Sequence, residues 1–366
     1  MKYKYKVCVY AICKNEEKFV DTWYDSVKEA DKIYVLDTGS DDNTVNLLKG
    51  KEKVILKQKI IKPWRFDVAR NLSLDMVPMD TDICVCIDFD EVLSKGWRYE
   101  LEKIWNKNIN RVRYNYIWSF DKYNKPSIYF YLDNIHQRKD YYWTHPVHEV
   151  LTYKKDKEKY ITISSITLSH YPDIQKSRKS YLPLLELSVK EDPNDDRNMH
   201  YLGREYMYYR KYDKSIKTLK KHLDMDSAKW RDERCASMRF IGRCYKYLGN
   251  YDEARLWYEK AILEAPYLRD AYVEIAILYY ELKNYGKMIK YCNKALRIKE
   301  KQNTYINEVF SWNYTIYDLL AIGFFELEEF EMALKYARIA LDMDKNNERL
   351  KNNYDIILEV VKRYAD

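Results

Sequence analysis

Two aspartates separated by one residue, Asp88 and Asp90, are the clearest candidates for chemistry in this chain of 366 residues. In extended backbone, residues two apart point to the same side, and two carboxylates held together repel each other unless a cation lies between them. Carboxylate oxygens suit Mg²⁺ or Mn²⁺, and these ions commonly share their coordination sphere with substrate phosphates. The pair therefore predicts a metal and diphosphate site. A solvated acidic turn is the alternative, because a D-x-D triplet alone is a weak motif.

A second polar cluster reads Asp-Thr-Gly-Ser at positions 37–40. Gly39 permits a tight turn with exposed backbone N–H groups, and Asp37 can accept hydrogen bonds from a ring N–H or from ribose hydroxyls. Farther along, Arg70 stands in a helical pattern and has the fork-shaped donor set that holds a diphosphate. The alternatives are an ordinary turn before a capped helix and a surface arginine on an amphipathic helix.

Histidines are concentrated in one part of the chain. Four of the six lie within 35 positions, at 136, 145, 148 and 170. Glu149, beside one of them, has the chemistry of a general base, and an imidazole can complete a metal shell. The pattern HExxH is not met because Thr152 stands where the second His would be, so the sequence does not support a zinc protease. Structural roles are the alternative for most of these histidines.

The elements that must position these residues are visible as short apolar runs. Four runs share the pattern, at residues 6–13, 32–36, 53–56 and 83–87. Such Val- and Ile-rich runs with polar flanks are typical of buried strands in a parallel or mixed sheet. Helical patterns over residues 17–30 and 66–76 alternate with them, which predicts an α/β layered fold. In open α/β sheets ligands bind beyond the carboxyl ends of the strands, and the polar clusters follow three of the runs directly.

The second half of the chain has a different pattern, dominated by helical periodicity from about residue 198. A set of small and aromatic residues recurs with a spacing near 34 residues, most clearly at Gly242, Tyr245, Gly249, Tyr251, Ala254, Tyr258, Ala261 and Pro266. One partial copy begins at Gly203, and two later ones begin at Ala276 and Ala321. The spacing exceeds 34 after the first and third copies, which predicts insertions there. The pattern resembles the tetratricopeptide repeat.

The amino-acid composition excludes several classes of protein. Hydrophobic residues make up 46% of the chain and charged residues 33%, so we expect two folded domains rather than disorder. A net charge of +7, from 64 basic and 57 acidic residues, is too small to indicate nucleic-acid binding. The basic start is followed by only a short apolar run, and no stretch approaches 18 apolar residues. Seven cysteines, mostly in apolar runs, indicate reduced core residues. We therefore expect a cytoplasmic protein without a secretory signal or transmembrane segment.

The order of the motifs resembles that of the family 2 glycosyltransferases, in the branch that carries C-terminal tetratricopeptide repeats. The blocks read AICKNEE, VLDTGSDDNT, WRFDVARN, CIDFDEVL, VHEVL and LSHY. The resemblance covers about residues 5–190 for the enzyme and the remainder for the repeats. It implies an α/β GT-A (Rossmann-like, mixed-sheet) domain over residues 1–190 and an all-α repeat domain over residues 191–366.

The resemblance also implies an activity. This is an inverting transfer of a hexose from a nucleotide-diphospho-sugar, with a UDP-sugar the most frequent donor, to a protein, peptide or glycan acceptor, using Mn²⁺ or Mg²⁺. Glu149 is the implied base, although His148 replaces the first acid of the usual pair. Asp90 is the implied metal ligand, joined by Asp88 and His170. The implied donor-site residues are Ile12, Asn15, Glu16, Asp37, Ser40, Arg70, Asn71 and Asp88.

Two other hypotheses compete with the glycosyltransferase interpretation. A non-catalytic repeat scaffold with a degenerate transferase domain is one, against which the retained Asp37, Asp88 and Asp90 argue. A nucleotidyltransferase is the other, but it needs a Gly- and Lys-rich loop after the first strand, where residues 13–16 read Cys-Lys-Asn-Glu. The repeats could bind an acceptor, pair two chains into a homodimer, or buttress the enzyme.

Overall fold

The structure is a computed structural model that describes residues 3–173, 175–176 and 179–365. It divides into two compact units. The first comprises residues 1–191 with residues 303–305, and the second comprises residues 192–302 with residues 306–366.

The first unit is built on strands and helices that alternate at its start. Its described strands are β1 (Val7–Cys13), β2 (Lys32–Asp37), β3 (Val54–Gln58), β4 (Ile83–Cys86), β5 (Glu91–Leu93), β6 (Arg111–Phe120), β7 (Pro126–Gln137), β8 (Tyr141–Thr144), β9 (Val150–Tyr153) and β10 (Tyr160–His170). Its described helices are α1 (Val20–Val27), α2 (Thr44–Lys49), α3 (Phe66–Asp75), α4 (Trp97–Ile104) and α5 (Tyr181–Glu191). The four apolar runs are the first four strands, and the two helical patterns contain α1 and α3.

Eight of these strands form one mixed sheet in the order β3-β2-β1-β4-β7-β6-β10-β5. Strands β3, β2, β1 and β4 are mutually parallel. Strand β7 is antiparallel to both β4 and β6, whereas β10 runs parallel to β6 and therefore in the same sense as β4. The chain leaves β1 toward β2 on one side and later returns to β4 on the other, which creates a topological switch point beside β1.

Side chains of the central strand β1 alternate between two apolar cores. Val7, Val9 and Ala11 pack in a core with α1 and α4, while Cys8 and Tyr10 pack on the opposite face with α3 and the small β8–β9 hairpin. Because both faces are covered, the strand is buried except at the half-buried Ile12, and its sequence is apolar without alternation. This explains why the strands were recognisable as continuous runs.

The second unit is all-helical over its described residues. Its helices are α6 (Asp196–Tyr208), α7 (Tyr212–Leu223), α8 (Arg231–Tyr247), α9 (Tyr251–Glu264), α10 (Asp270–Glu281), α11 (Tyr285–Arg297), α12 (Thr315–Glu326), α13 (Phe330–Met343) and α14 (Glu348–Ala365). The four sequence repeats correspond to the pairs α6–α7, α8–α9, α10–α11 and α12–α13. The longer spacings fall where residues 224–230 and residues 298–314 connect successive pairs.

Small residues allow the paired helices to approach closely. A Cβ added to Gly242 would lie 2.6 Å from the ring of Tyr258 in the next helix, and one added to Gly203 would lie 2.5 Å from Leu219.

The mixed α/β fold and the helical repeats predicted from the sequence are both confirmed. None of the described helices combines the length and the apolar character needed to span a membrane.

Candidate active site

The polar residues predicted to form the site converge at one edge of the large sheet. Strands β1, β2 and β4 end there at Cys13, Asp37 and Cys86, because they are parallel neighbours. Strand β10 runs in the same sense and ends at His170. The carboxyl ends of four strands thus bring together segments of the chain that are far apart in sequence.

The loops after β1 and β2 are held together by reciprocal hydrogen bonds. The side-chain amide of Asn15 donates to Asp41 Oδ1 over 2.6 Å, and the Asp41 backbone N–H donates to Asn15 Oδ1 over 2.9 Å. The backbone N–H of Asn15 also donates to Ser40 Oγ over 2.9 Å. Asn15 lies in the left-handed region with φ 58°, which asparagine tolerates better than most residues. Ile12, just before this loop, is half-buried.

Asp37 is fully buried at the end of β2, and its carboxylate holds the following turn. Oδ1 accepts hydrogen bonds of 3.2 Å from the backbone N–H groups of Gly39 and Ser40. Oδ2 accepts from the hydroxyl of Ser40. Gly39 has φ 111°, a value that a side chain would strain. The carboxylate therefore shapes the turn that follows β2.

Arg70 connects two carboxylates of the site. Its Nη1 and Nη2 atoms donate parallel hydrogen bonds of 2.9 Å to the two oxygens of Asp88. Its Nε donates to Glu149 Oε1. The guanidinium also lies over the ring of Trp143, with 5.0 Å to the centroid. Burial raises the pKa of the Asp88 carboxyl, but the charge of Arg70 outweighs it, so the pKa is lowered overall.

The Asp88–Asp90 segment differs from its predicted extended form. Strand β4 ends at Cys86, and the chain then turns, with the Glu91 backbone N–H donating to the Asp88 carbonyl over 3.1 Å. The two aspartates accordingly have different partners, since Asp88 binds Arg70 and Asp90 lies beside His170. The expectation of extended backbone through the two aspartates was wrong, because β4 ends at Cys86 and a turn follows.

Asp90 and His170 form the second half of the site. Their nearest atoms, Asp90 Oδ2 and His170 Nε2, are 3.4 Å apart. The other ring nitrogen, Nδ1, lies 3.1 Å from the carbonyl oxygen of Trp118, and the imidazole stacks on the Trp118 ring at a centroid distance of 4.5 Å. Burial lowers the pKa of His170, but the hydrogen bond and charge of Asp90 outweigh it, so the pKa is raised overall.

Glu16 brings a further carboxylate to this edge. The residue is 9% exposed, and its Oε1 atom accepts from the ammonium of Lys176. Burial raises the pKa of Glu16 to about 7, with Lys176 opposing the shift and Asp90 and Asp88 adding to it. Glu16 thus adds a third buried or half-buried carboxylate to the edge that carries Asp88 and Asp90.

Asn71, the neighbour of Arg70, makes two hydrogen bonds with the backbone of Trp143. Its amide nitrogen donates to the Trp143 carbonyl over 2.8 Å, and the Trp143 backbone N–H donates to its Oδ1 over 2.8 Å. Asn71 therefore ties α3 to β8. Because Arg70 is stacked on the same tryptophan, this tie also fixes the surroundings of the guanidinium.

Residues 8–164 match the family model for glycosyl transferase family 2. Residues 236–268 and residues 270–302 each match a tetratricopeptide repeat model. The chain carries a family 2 glycosyltransferase domain followed by tetratricopeptide repeats. This transferase domain contains every residue predicted for the site except His170, which lies just beyond the matched segment. No curated protein sequence matches the chain significantly.

Solved structures similar to this chain include several tetratricopeptide repeat proteins. MamA is 19% identical, with a TM-score of 0.38, and the match covers 49% of this chain and 99% of MamA. PilF of Pseudomonas aeruginosa is 14% identical, with a TM-score of 0.38, and the match covers 48% and 72% of the two chains. A thermophilic repeat protein of Thermus thermophilus is 16% identical, with a TM-score of 0.34 and coverage of 48% and 88%.

Glu91 of the transferase domain was not assigned any role from the sequence. Its Oε2 atom accepts from the Asp88 backbone N–H over 2.9 Å, and its Oε1 accepts from the Tyr116 hydroxyl over 2.8 Å. Burial, with Asp88 and Asp90 nearby, raises the pKa of Glu91 to about 8. It lies at the start of β5, paired in register with His170. Its position directly after the Asp88–Asp90 pair was the available signal.

Proposed function

We propose that the transferase domain moves a hexose from a UDP-sugar to a protein, peptide or glycan acceptor, with inversion at the anomeric carbon and with a divalent metal. The observation that supports this most strongly is the convergence of two charged groups at one sheet edge. The first group is Arg70 with the two carboxylates that it binds, Asp88 and Glu149. The second group is the Asp90–His170 pair. Both lie beyond the strand ends of a family 2 domain, where open α/β sheets bind their ligands.

The donor atoms of the Asp90–His170 pair fit a divalent cation. If His170 carries its proton on Nδ1, where the Trp118 carbonyl accepts it, the Nε2 lone pair faces Asp90 Oδ2 at 3.4 Å. One imidazole nitrogen and one carboxylate oxygen are compatible with Mn²⁺, and Mg²⁺ would use the carboxylate. A cation held there would neutralise negative charge on the diphosphate of the donor. Asp88 would contribute as a neighbouring carboxylate, positioned by its fork of hydrogen bonds to Arg70.

The loops after β1 and β2 are the proposed nucleoside site. The turn that Asp37 and Ser40 form is locked to Asn15, so the surface offered to a base and ribose is ordered before binding. Ile12 and Glu16 border the same loop. Preorganisation of this kind improves affinity because less conformational entropy is lost on binding. Arg70 and Asn71 support the diphosphate side, Arg70 through its charge and Asn71 through its tie to β8.

Glu149 is the proposed general base. Its carboxylate would accept the proton of the acceptor heteroatom as that atom attacks the anomeric carbon. The bond from the anomeric carbon to the donor phosphate oxygen would break, and the nucleoside diphosphate would leave with the electron pair. Because Arg70 Nε contacts Oε1 of Glu149, proton acceptance falls to Oε2. General-base catalysis typically contributes about 10²–10⁴-fold.

A panel of nucleotide sugars tests this proposal without knowledge of the acceptor. The full chain is incubated with each donor and with Mn²⁺ or Mg²⁺, and release of free sugar and nucleoside diphosphate is measured. We expect metal-dependent hydrolysis of a UDP-hexose that falls by at least about 100-fold in Asp90→Asn. Asp75→Asn, whose side chain is 75% exposed at the end of α3, is the matched control and should retain full activity. Equal hydrolysis by both variants would remove Asp90 from the mechanism.

The repeats favour a second candidate, a scaffold in which the transferase domain has lost its activity. Tetratricopeptide repeats commonly present concave binding surfaces, and here they could recruit an acceptor or pair two chains. The scaffold reading predicts that no donor in the panel is hydrolysed and that none raises the melting temperature. For either function, we propose a cytoplasmic location, because all seven cysteines are free and buried, as suits a reducing compartment.

A further inference from the structure

A cluster of three metal-ligand side chains lies within the repeat unit. Asp196 is the first residue of α6, His222 lies in the last turn of α7, and Glu233 lies in the first turn of α8. Each offers one ligand atom, and the three atoms lie within 4.8 Å of one another. Three consecutive helices therefore contribute one group each to the same small volume.

The helices present these groups together with a supporting layer. His200 lies four residues after Asp196 on α6, and Ser237 lies four residues after Glu233 on α8, so each pair shares a helix face. Ser237 Oγ lies 2.9 Å from His222 Nδ1 and 2.7 Å from His200 Nδ1. Histidines that bind metals commonly use their second ring nitrogen in a hydrogen bond of this kind, which orients the ring.

The positions of the protons in the hydrogen bonds between His200, Ser237 and His222 determine which ring nitrogen of His222 carries a lone pair. His200 and His222 both present Nδ1 to the hydroxyl of Ser237. The single hydroxyl proton of Ser237 can then be donated to His200 Nδ1, while Ser237 Oγ accepts a proton from His222 Nδ1. In that arrangement His222 Nε2 carries a lone pair rather than a hydrogen, which is the state that binds a metal.

The environment of the His222 Nε2 atom also indicates a bound ligand. The residue is fully buried, and within the described part of the chain Nε2 has no hydrogen-bond partner. It faces Glu233 Oε1 at 3.4 Å. Two ligands each about 2.0–2.1 Å from a tetrahedral zinc ion are separated by roughly 3.3–3.4 Å, so the observed separation fits an ion between them.

We propose that Asp196, His222 and Glu233 bind a zinc-type divalent transition-metal ion in the repeat unit. One imidazole nitrogen with two carboxylate oxygens favours such an ion over Mg²⁺ or Ca²⁺, which take oxygen ligands. Asp196 is half-buried whereas the other two are buried, so the site opens toward solvent on the side of α6. An ion there would cross-link α6, α7 and α8 and would stabilise the start of the repeat unit.

Zinc and cobalt binding by the untagged full chain tests the proposal. The Asp90→Asn background weakens the site proposed in the transferase domain, so that bound metal reports mainly on the repeat unit. We expect one Zn²⁺ per chain to remain after gel filtration, measured by mass spectrometry of the metal. Co²⁺ should give a visible absorption spectrum that Zn²⁺ then abolishes. A chain that retains no zinc at micromolar concentrations would overturn the proposal.

Variants assign the bound ion to the three residues. Asp196→Asn should weaken zinc binding by at least about 10-fold, because changes in the outer shell alone cost about 10–100-fold. Asp213→Asn is the matched control, since Asp213 is an exposed acidic residue in the first turn of α7 and should bind zinc as before. His222→Gln should abolish binding, with circular dichroism as the check on folding. Equal zinc affinity in Asp196→Asn and Asp213→Asn would show that Asp196 is not a ligand and would overturn the three-residue site.

Discussion

The guanidinium of Arg70 donates two parallel hydrogen bonds of 2.9 Å to the carboxylate of Asp88. The same side chain binds Glu149 through Nε, so one buried cation compensates two carboxylates from different parts of the chain. Such fork-shaped pairing is specific to arginine, because a lysine ammonium cannot make two coplanar hydrogen bonds.

Arg70→Met is expected to destabilise the transferase domain by about 3–5 kcal/mol, since it leaves Asp88 and Glu149 without their cation. Chemical denaturation followed by circular dichroism measures the change. The triple variant with Asp88→Asn and Glu149→Gln removes all three charges and should recover much of the loss. If the single and triple variants were equally unstable, lost packing rather than uncompensated charge would be the cause.

Glu149→Gln separates catalysis from donor binding. The amide oxygen of glutamine can still accept the hydrogen bond from Arg70, so the local structure and the affinity for a nucleotide sugar should be retained. The rate of sugar transfer should fall by about 10²–10⁴-fold if Glu149 is the base. Calorimetry measures donor binding and a transfer assay measures the rate, with the exposed Glu52→Gln as control. Undiminished transfer would exclude the role of base.

Two glycines of the repeats should respond to alanine in opposite directions. Gly242→Ala places a Cβ 2.6 Å from the Tyr258 ring and should destabilise the repeat unit by about 1–3 kcal/mol. Gly286→Ala, in α11, meets open space among the described atoms and should stabilise it by about 0.4–1 kcal/mol. Thermal unfolding of the two variants measures both changes. A destabilised Gly286→Ala would show that the second helix of that repeat does not tolerate a methyl group.

Because His136 is buried, we expect the stability of the transferase domain to depend on pH. Burial lowers its pKa to about 3, and its Nε2 atom lies 2.9 Å from the Tyr10 hydroxyl. The unfolded chain binds a proton at pH values where the folded chain does not. His136 therefore leaves the free energy of unfolding unchanged above about pH 6.5 and lowers it progressively as the pH falls toward 3. The slope is about 1.4 kcal/mol per pH unit. His136→Gln should reduce that slope by this amount, and parallel curves for variant and wild type would contradict the assignment.

The strands and the location of the site could be predicted because both depend on local patterns. Buried parallel strands produce continuous apolar runs, and the polar residues that follow each run must lie at the same edge of the sheet. The repeats were visible because Gly242 and Ala276 occupy equivalent positions where helices approach closely.

The partners of individual site residues could not be predicted in this way. Arg70 and Glu149 are separated by 79 positions, and nothing in the local sequence encodes that contact. The turn that separates Asp88 from Asp90 depends on the hydrogen bond between Glu91 and the Asp88 backbone, which requires Tyr116 and β5 to be in place. Asn71 belongs to a recognisable motif, yet its contact with Trp143 becomes apparent only in the folded chain.

The burial of every cysteine gives this protein a set of intrinsic reporters of local opening. Four thiols, at 8, 13, 84 and 86, lie in the first unit, and three, at 235, 244 and 292, lie in the second. A thiol can react with a soluble disulfide reagent only when the segment around it opens to water. The labelling rates of the two groups, read by peptide mass spectrometry, would therefore follow the opening of the transferase domain and of the repeats separately in a single sample.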